Sequence, residues 1–174
     1  MKDISWWITF IEIWNHKSVF LEDEWTSSHI LKFASDASNL GMGAVLHNSW
    51  WSAPFNPAHL KLPIAWRELF AIVMSCRVWG HLFTSKRVLV SCDNLAMVHC
   101  VNKGTSKNPA IMSLVRDLYF VCAFFAFDLR LKHLAGINNI GPDLLSRLNV
   151  KKFHDQFPLA SKTPTTVPPA YLHY

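Results

Sequence analysis

Apolar residues recur along the middle of the chain with two different periods, one typical of strands and the other of helices. Short apolar runs bounded by turn residues predict strands, and these runs cover residues 30–35, 43–46, 50–53, 87–92 and 127–133. Apolar positions at helical spacing predict helices, which cover residues 64–83, 94–103, a segment opening at Asn108-Pro109, and a short segment from Asn138 or Asn139 to Leu148. The resulting order is three strands, a helix, a strand, two helices, a strand and a helix. This order predicts an α/β fold with a mixed sheet and helices on both faces.

The predicted strands differ in how we expect them to be buried. Residues 87–92 form a nearly continuous apolar run with β-branched side chains, which is typical of a central strand in a parallel sheet. Residues 127–133 instead alternate apolar and charged side chains, which predicts a half-exposed edge strand. The first two runs are separated by Asn39, Gly41 and Gly43, so we expect them to pair closely as a hairpin.

Composition sets the scale of the fold and divides the chain into three parts. The 174 residues are 51% hydrophobic and 17% charged, which is enough for one globular domain and excludes a disordered or coiled-coil chain. The net charge of +5 fits an anionic partner, and the basic excess lies in residues 31–150, whereas residues 1–30 are acidic. Residues 151–174 are rich in proline and predict a tail or linker.

The chain carries no sign of a membrane segment or of export. It has no apolar stretch of about 18 residues, the length that a bilayer-spanning helix needs, and no signal-peptide pattern. The four cysteines lie in apolar runs without a C-x-x-C motif; they are Cys76, Cys92, Cys100 and Cys122. We therefore expect a soluble intracellular protein, in the cytoplasm or nucleus, with reduced and mostly buried thiols and no membrane partner.

Four acidic residues of the middle segment stand where carboxylates could meet. Asp36 stands at the end of the first predicted strand and Asp93 at the end of the central one, and ligands bind at strand ends in open α/β sheets. Glu68 lies in the first turns of the long helix, and Asp143 opens the last helix. Clustered carboxylates repel one another, and two divalent ions such as Mg²⁺ would remove that repulsion and support phosphodiester hydrolysis.

Each of these acids has an ordinary structural alternative. An aspartate at a strand end is often a turn former or a helix cap, and a glutamate in a first helical turn is favoured by the helix dipole. Spacing and composition leave both interpretations open.

Four sequence blocks, in this order, resemble a known family. They are Ser35-Asp-Ala-Ser38, Trp66-Arg-Glu-Leu-Phe-Ala71, Ser91-Cys-Asp-Asn94 and Pro142-Asp-Leu-Leu-Ser-Arg147. The blocks resemble the ordered D, E, D, D blocks of a retroelement ribonuclease H domain, and the likeness is closest to DIRS-like retrotransposon polyproteins. The resemblance covers about residues 30–148.

The resemblance implies a fold and an activity. The fold would be an RNase H fold with a five-stranded mixed sheet whose first three strands are antiparallel. The activity would be endonucleolytic cleavage of the RNA strand of RNA–DNA hybrids, with two Mg²⁺ or Mn²⁺ ions held by Asp36, Glu68, Asp93 and Asp143. Residues 1–30 would be the remnant of a segment that connects residues 31–150 to a reverse transcriptase domain in the parent polyprotein.

Further residues are candidates for supporting roles. His133 precedes Asp143 by ten residues, the spacing at which related enzymes carry a histidine that assists catalysis; an ordinary polar histidine at a strand end explains it equally. Hydroxyl and amide side chains could contact the backbone or the 2′-hydroxyls that distinguish RNA from DNA, and basic side chains could contact phosphates. The candidates for substrate binding are Ser38, Asn94 and Asn138, together with Lys103, Lys107 and Arg147.

Two other functions stay open at this point. The first is a catalytically silent nucleic-acid-binding or scaffolding remnant of the same fold, which would bind hybrids in a salt-dependent way without turnover. The second is a DNA transposase or integrase, which would cleave duplex DNA rather than hybrids.

Overall fold

The structure, a computed structural model, describes residues 2–13, 21–133 and 139–172. The strands in these residues are β1 (Trp25–Ser27), β2 (Phe33–Ala37), β3 (Gly41–Leu46), β4 (Ser49–Pro54), β5 (Arg87–Cys92) and β6 (Asp128–His133). The α-helices are α1 (Lys2–Ile13), α2 (Ile64–Trp79), α3 (Leu95–Lys103), α4 (Pro109–Phe124), α5 (Ile140–Ser146), α6 (Val150–Gln156) and α7 (Pro169–Leu172). Short 3₁₀ helices at His59–Lys61 and Gly80–Leu82 precede and follow α2.

The strands form two three-stranded sheets, so the prediction of one five-stranded sheet is wrong. One sheet has the order β1-β5-β6 with parallel pairs, and the other has the order β2-β3-β4 with antiparallel pairs. The antiparallel arrangement of the first three predicted strands and the central position of β5 are confirmed.

A turn at residues 28–32 explains why the strands divide in this way. The amide of Ser28 still donates to the Leu89 carbonyl at 2.7 Å and so extends the pairing of β1 with β5. The chain then turns, with Lys32 at a φ of 47°, and the Phe33 amide donates back to the Ser28 carbonyl at 2.8 Å. The chain before the turn therefore pairs with β5 and the chain after it pairs with β3, each in a different sheet.

The core lies around α2, which contacts α4, β2 and β3. Its largest fully buried side chains include Trp51 of β4 and Trp66 and Phe70 of α2. The predicted start of α2 is confirmed because Pro63 stands at its N-cap, whereas the α-helix ends at Trp79 and continues only as a 3₁₀ turn.

Local capping signals place the next two helices where the sequence predicted them. The Asn94 side chain accepts a hydrogen bond from the Met97 amide, and α3 ends at Gly104 with a φ of 65°. The Asn108 side chain accepts hydrogen bonds from amides in the first turn of α4. In β6, Leu129 and Leu131 are buried while Arg130 between them is exposed, as the alternation predicted.

The proline-rich C-terminal residues contact the sheet that contains β4. The Trp50 indole donates to the Ser161 carbonyl at 2.7 Å, and the amides of Ser161 and Thr165 donate to the carbonyls of Asn48 and Trp50 at 2.8 and 2.7 Å. Further along, the Tyr171 ring packs against the main core.

The cysteines and the helix lengths bear on the expected thiol state and membrane character. Cys76, Cys92, Cys100 and Cys122 are free thiols, and all except Cys100 are buried. Within residues 2–13, 21–133 and 139–172, no helix has the length and apolar character needed to cross a bilayer.

Candidate active site

A groove of about 1100 Å³ runs along the surface between the sheets, α5 and α6. The side chains that line it include all four of the predicted carboxylates, Asp36, Glu68, Asp93 and Asp143. These residues come from β2, from α2, from the position after β5 and from α5. Elements that are far apart in sequence thus bring four acids to one groove.

Asp36 reaches the groove because α5 packs directly on its strand. Asp36 lies opposite Gly43 in the β2–β3 pair, and a Cβ atom on Gly43 would stand only 2.4 Å from the Cβ of Leu145 in α5. The absence of a side chain at Gly43 therefore lets α5 approach the strands. The Ser146 hydroxyl of that helix donates to Asp36 Oδ2 at 2.7 Å.

Asp143 is held by an arginine of its own helix. Arg147 Nε donates to Asp143 Oδ1 and Oδ2 at 2.9 and 3.0 Å. Both side chains are substantially exposed, at 60% for Arg147 and 46% for Asp143, so water screens this pair and a competing cation could replace the arginine.

Glu68 and Asp93 approach each other from α2 and the end of β5. Burial raises the pKa of Glu68, and the Asp93 carboxylate raises it further. A hydrogen bond from the Asn94 side chain acts in the opposite direction. Asn94 is therefore both the cap of α3 and a contact of the Glu68 carboxylate.

The same electrostatic conflict acts on Asp36. Burial is the main cause that raises the pKa of Asp36, the Ser146 hydrogen bond opposes that rise, and the Asp143 carboxylate adds to it. Asp36 also raises the pKa of Glu68. Burial and neighbouring carboxylates thus disfavour the ionised forms of Asp36 and Glu68, an effect that a bound cation would oppose.

The donor set suits a hard divalent cation. Carboxylate oxygens are the protein ligands that Mg²⁺ prefers, and burial, with a smaller contribution from neighbouring carboxylates, raises the pKa values of Asp36 and Glu68. Within the part of the chain that the structure describes, however, no three His, Cys, Asp or Glu side chains form a group that could hold a metal ion as they stand. The residues fit the ion by chemistry, and binding would have to draw their side chains together.

The other candidate residues differ in their positions relative to the groove. His133 is the last residue of β6, pairs with Cys92, the residue before Asp93, and is not among the residues that line the groove. The Ser38 hydroxyl donates to the Ser146 carbonyl at 2.8 Å, so it serves α5 in this structure. Lys103 and Lys107 are exposed and lie outside the groove lining, and Asn138 lies outside the described residues.

Three residues that the sequence did not indicate as site residues organise this region. Ser146 contacts Asp36, and Asn139 Nδ2 donates to the Ser35 carbonyl at 2.8 Å. Arg67 is 7% exposed, and its Nη1 donates to the Ser38 carbonyl at 2.8 Å and to Asn39 Oδ1 at 3.1 Å. Arg67 lies next to Glu68 in its sequence block, and Ser146 lies three positions after Asp143 in another. Their proximity to predicted site residues was the sequence signal that could have identified them.

This geometry defines a class of protein. It is an α/β domain with an acidic groove where its sheets and helices meet. The family model of the RNase H-like domain found in reverse transcriptase matches residues 27–118, more than half of the chain. The chain belongs to this family. A comparison with curated proteins gives no match.

Proposed function

We propose that the protein is a Mg²⁺- or Mn²⁺-dependent ribonuclease H that hydrolyses the RNA strand of RNA–DNA hybrids. The observation that carries this proposal is the position of Asp36, Glu68, Asp93 and Asp143 along one groove in a chain of the RNase H-like family. The net charge of +5 also suits a polyanionic substrate. Cations bound in the acidic groove would then receive its reacting phosphate.

The four carboxylates would hold two ions, which when bound supply activation of a water and stabilisation of the leaving oxygen. Asp36 and Glu68 are the half-buried members, and burial together with neighbouring carboxylates raises their pKa values and so disfavours their ionised forms, a penalty that a bound cation would offset. Asp93 and Asp143 would complete the ligand set from the end of β5 and from α5. The products would carry a 3′-hydroxyl and a 5′-phosphate.

The substrate would lie along the groove beyond the carboxylates. Lys32, His29 and His47 line the same groove, and a basic side chain there suits backbone phosphates. Ser38, Asn94 and Asn138 remain candidates for contacts with the sugar or backbone of the hybrid, and Lys103 and Arg147 for contacts with phosphates. His133, exposed at the end of β6 and paired with Cys92, the residue before Asp93, remains the candidate for proton transfer or product release.

The family places this domain type in reverse transcriptases, and we extend that context to this chain. The domain would act together with a reverse transcriptase domain of a parent retrotransposon polyprotein, of the DIRS-like kind, inside the cell. Residues 1–30 would connect to that domain.

A hybrid-cleavage assay tests the proposal. The purified chain is incubated with end-labelled RNA–DNA hybrid over a series of Mg²⁺ and Mn²⁺ concentrations, with single-stranded RNA and duplex DNA as control substrates. We expect cleavage of the hybrid RNA alone, and we expect Asp93→Asn to abolish it while leaving the unfolding temperature without metal close to that of the wild type. An uncut hybrid with both metals, for this chain and for one that includes an upstream polymerase, would refute the activity.

One observation favours the catalytically silent alternative. Among the described residues, the carboxylates do not already form a metal-binding group. Salt-dependent hybrid binding without turnover at any metal concentration would support that binding or scaffolding function. Cleavage of duplex DNA but not of hybrids would support the transposase or integrase alternative.

A further inference from the structure

Ser146 is a fully buried hydroxyl at the junction of β2 and α5. Its relative exposure is 0%, and its Oγ lies 2.7 Å from Asp36 Oδ2 and 3.0 Å from the carbonyl oxygen of Asp143. A single side chain thus contacts a carboxylate of one strand and the backbone of another predicted metal ligand.

The hydroxyl has one proton and two possible acceptors. A serine in a helix often donates to a backbone carbonyl three or four residues earlier, which here is that of Asp143. A hydrogen bond to an ionised carboxylate is shorter and about twice as strong as one to a neutral acceptor, and the Asp36 contact is the shorter of the two. The proton therefore goes to Asp36 whenever that carboxylate is ionised.

The helix around Ser146 is fixed independently of this contact. The Ser38 hydroxyl donates to the Ser146 carbonyl at 2.8 Å, and the Ser52 hydroxyl donates to the Leu145 carbonyl at 2.7 Å. Gly43 leaves no room for a shift, because an added Cβ would lie 3.0 Å from the Ser146 amide nitrogen. The hydroxyl is thus presented to Asp36 by a rigid support.

We propose that Ser146 is a positioning residue that orients the Asp36 carboxylate for cation binding and fixes its place relative to Asp143; this rests on the proposed function. Hydrogen bonds from outer residues fix the orientation of carboxylate ligands, and their loss typically weakens metal affinity by about 10–100-fold. The role belongs to the hydroxyl and not to the packing of α5.

A matched pair of variants separates these two contributions. Ser146→Ala removes the hydrogen bond to Asp36, whereas Ser52→Ala removes a hydrogen bond of similar length to the same helix and leaves Asp36 untouched. Ser146→Cys keeps nearly the same volume with a much weaker donor, and it serves if the alanine variant does not fold. The probe is Mn²⁺ alone, titrated into each full-length variant and followed by the electron paramagnetic resonance signal of the free ion.

We expect Ser146→Ala to raise the Mn²⁺ dissociation constant about tenfold or more, and Ser146→Cys to raise it in the same direction. We expect Ser52→Ala to stay within about twofold of the wild-type Mn²⁺ dissociation constant, although both alanine variants lose stability without metal, Ser146→Ala more because its acceptor is a carboxylate. Equal Mn²⁺ affinity in Ser146→Ala and Ser52→Ala would overturn this inference while leaving the proposed function intact. No Mn²⁺ binding by the wild type would overturn both.

Discussion

Replacing Gly43 by alanine should separate α5 from the strands that carry Asp36. The new Cβ would lie 2.4 Å from the Cβ of Leu145 and 2.9 Å from its carbonyl carbon. Carbon atoms pack best at about 3.5–4.0 Å, so the helix has to move away by about 1 Å. The nearest atoms include helix backbone, so a side-chain rotation alone cannot relieve the contact.

The cost has two sources. Overpacking of this kind typically destabilises a protein by about 1–3 kcal/mol. A displaced helix also lengthens the hydrogen bonds from Ser52 to α5 and from Ser146 to Asp36, both 2.7 Å. It loses part of their stabilisation, which is about 1 kcal/mol for the carbonyl acceptor and about 1.5–3 kcal/mol for the carboxylate. We expect a total loss of about 2–4 kcal/mol in the free energy of unfolding. For a chain of this size, each kcal/mol lowers the unfolding temperature by about 2–4 °C.

The assay combines urea unfolding with hybrid cleavage at a temperature where every variant is folded. Gly104→Ala is the control, because Gly104 has a φ of 65° but an added Cβ would have its nearest neighbour at 3.6 Å. Its loss of about 1–2 kcal/mol comes from backbone strain outside the groove lining, so cleavage should persist. Wild-type stability in Gly43→Ala, or equal loss of cleavage in both variants, would contradict the reasoning.

The remaining predictions concern charge, a strand and the C-terminal residues. Because burial and neighbouring carboxylates raise the pKa of Glu68 above its ordinary 4.5, the folded state binds more protons than the unfolded state above that pH. Without metal, the stability that this group contributes is therefore lost as the pH rises through the raised pKa. In urea unfolding, the free energy of unfolding of Glu68→Gln should increase relative to that of the wild type as the pH increases. This relative increase should be smaller when Mg²⁺ is added. Asn102→Ala should lose about 1–2 kcal/mol and speed amide exchange at Leu131, since the Asn102 amide bonds both the N–H and the carbonyl of Leu131 at 2.8 Å; unchanged exchange there would contradict it. Tyr171→Ala should lower the unfolding temperature, because its ring packs on the core and stacks at 5.5 Å on the Arg77 guanidinium; an unchanged value would argue that this contact contributes nothing.

Much of the fold was predictable because local signals determine it. Asn94 and Gly104 mark the two ends of α3, and Asn108-Pro109 opens α4, each through hydrogen bonds within a few residues. The alternation in β6 likewise reports its own burial. The positions of the four acids on their elements follow from the same local information.

The features that the sequence did not reveal depend on distant contacts. Lys32 adopts a positive φ without the glycine that usually signals such a turn, so the division into β1 and β2 had no local marker. Ser146 looks like an ordinary helix residue until Gly43 brings α5 onto the strands. Proline suppresses helix and strand patterns, so composition could not show that Ser161 pairs with the backbone at β4.

The hydrogen bonds between the C-terminal residues and β4 affect the tendency of the protein to self-associate. β4 is the outermost strand of its sheet, and the amides of Ser161 and Thr165 occupy carbonyls along that side. An uncovered strand of this kind is a template on which another chain can add. A shortened protein that kept every acidic block but stopped before Ser161 would expose that template, so self-association would set in before any loss of the groove.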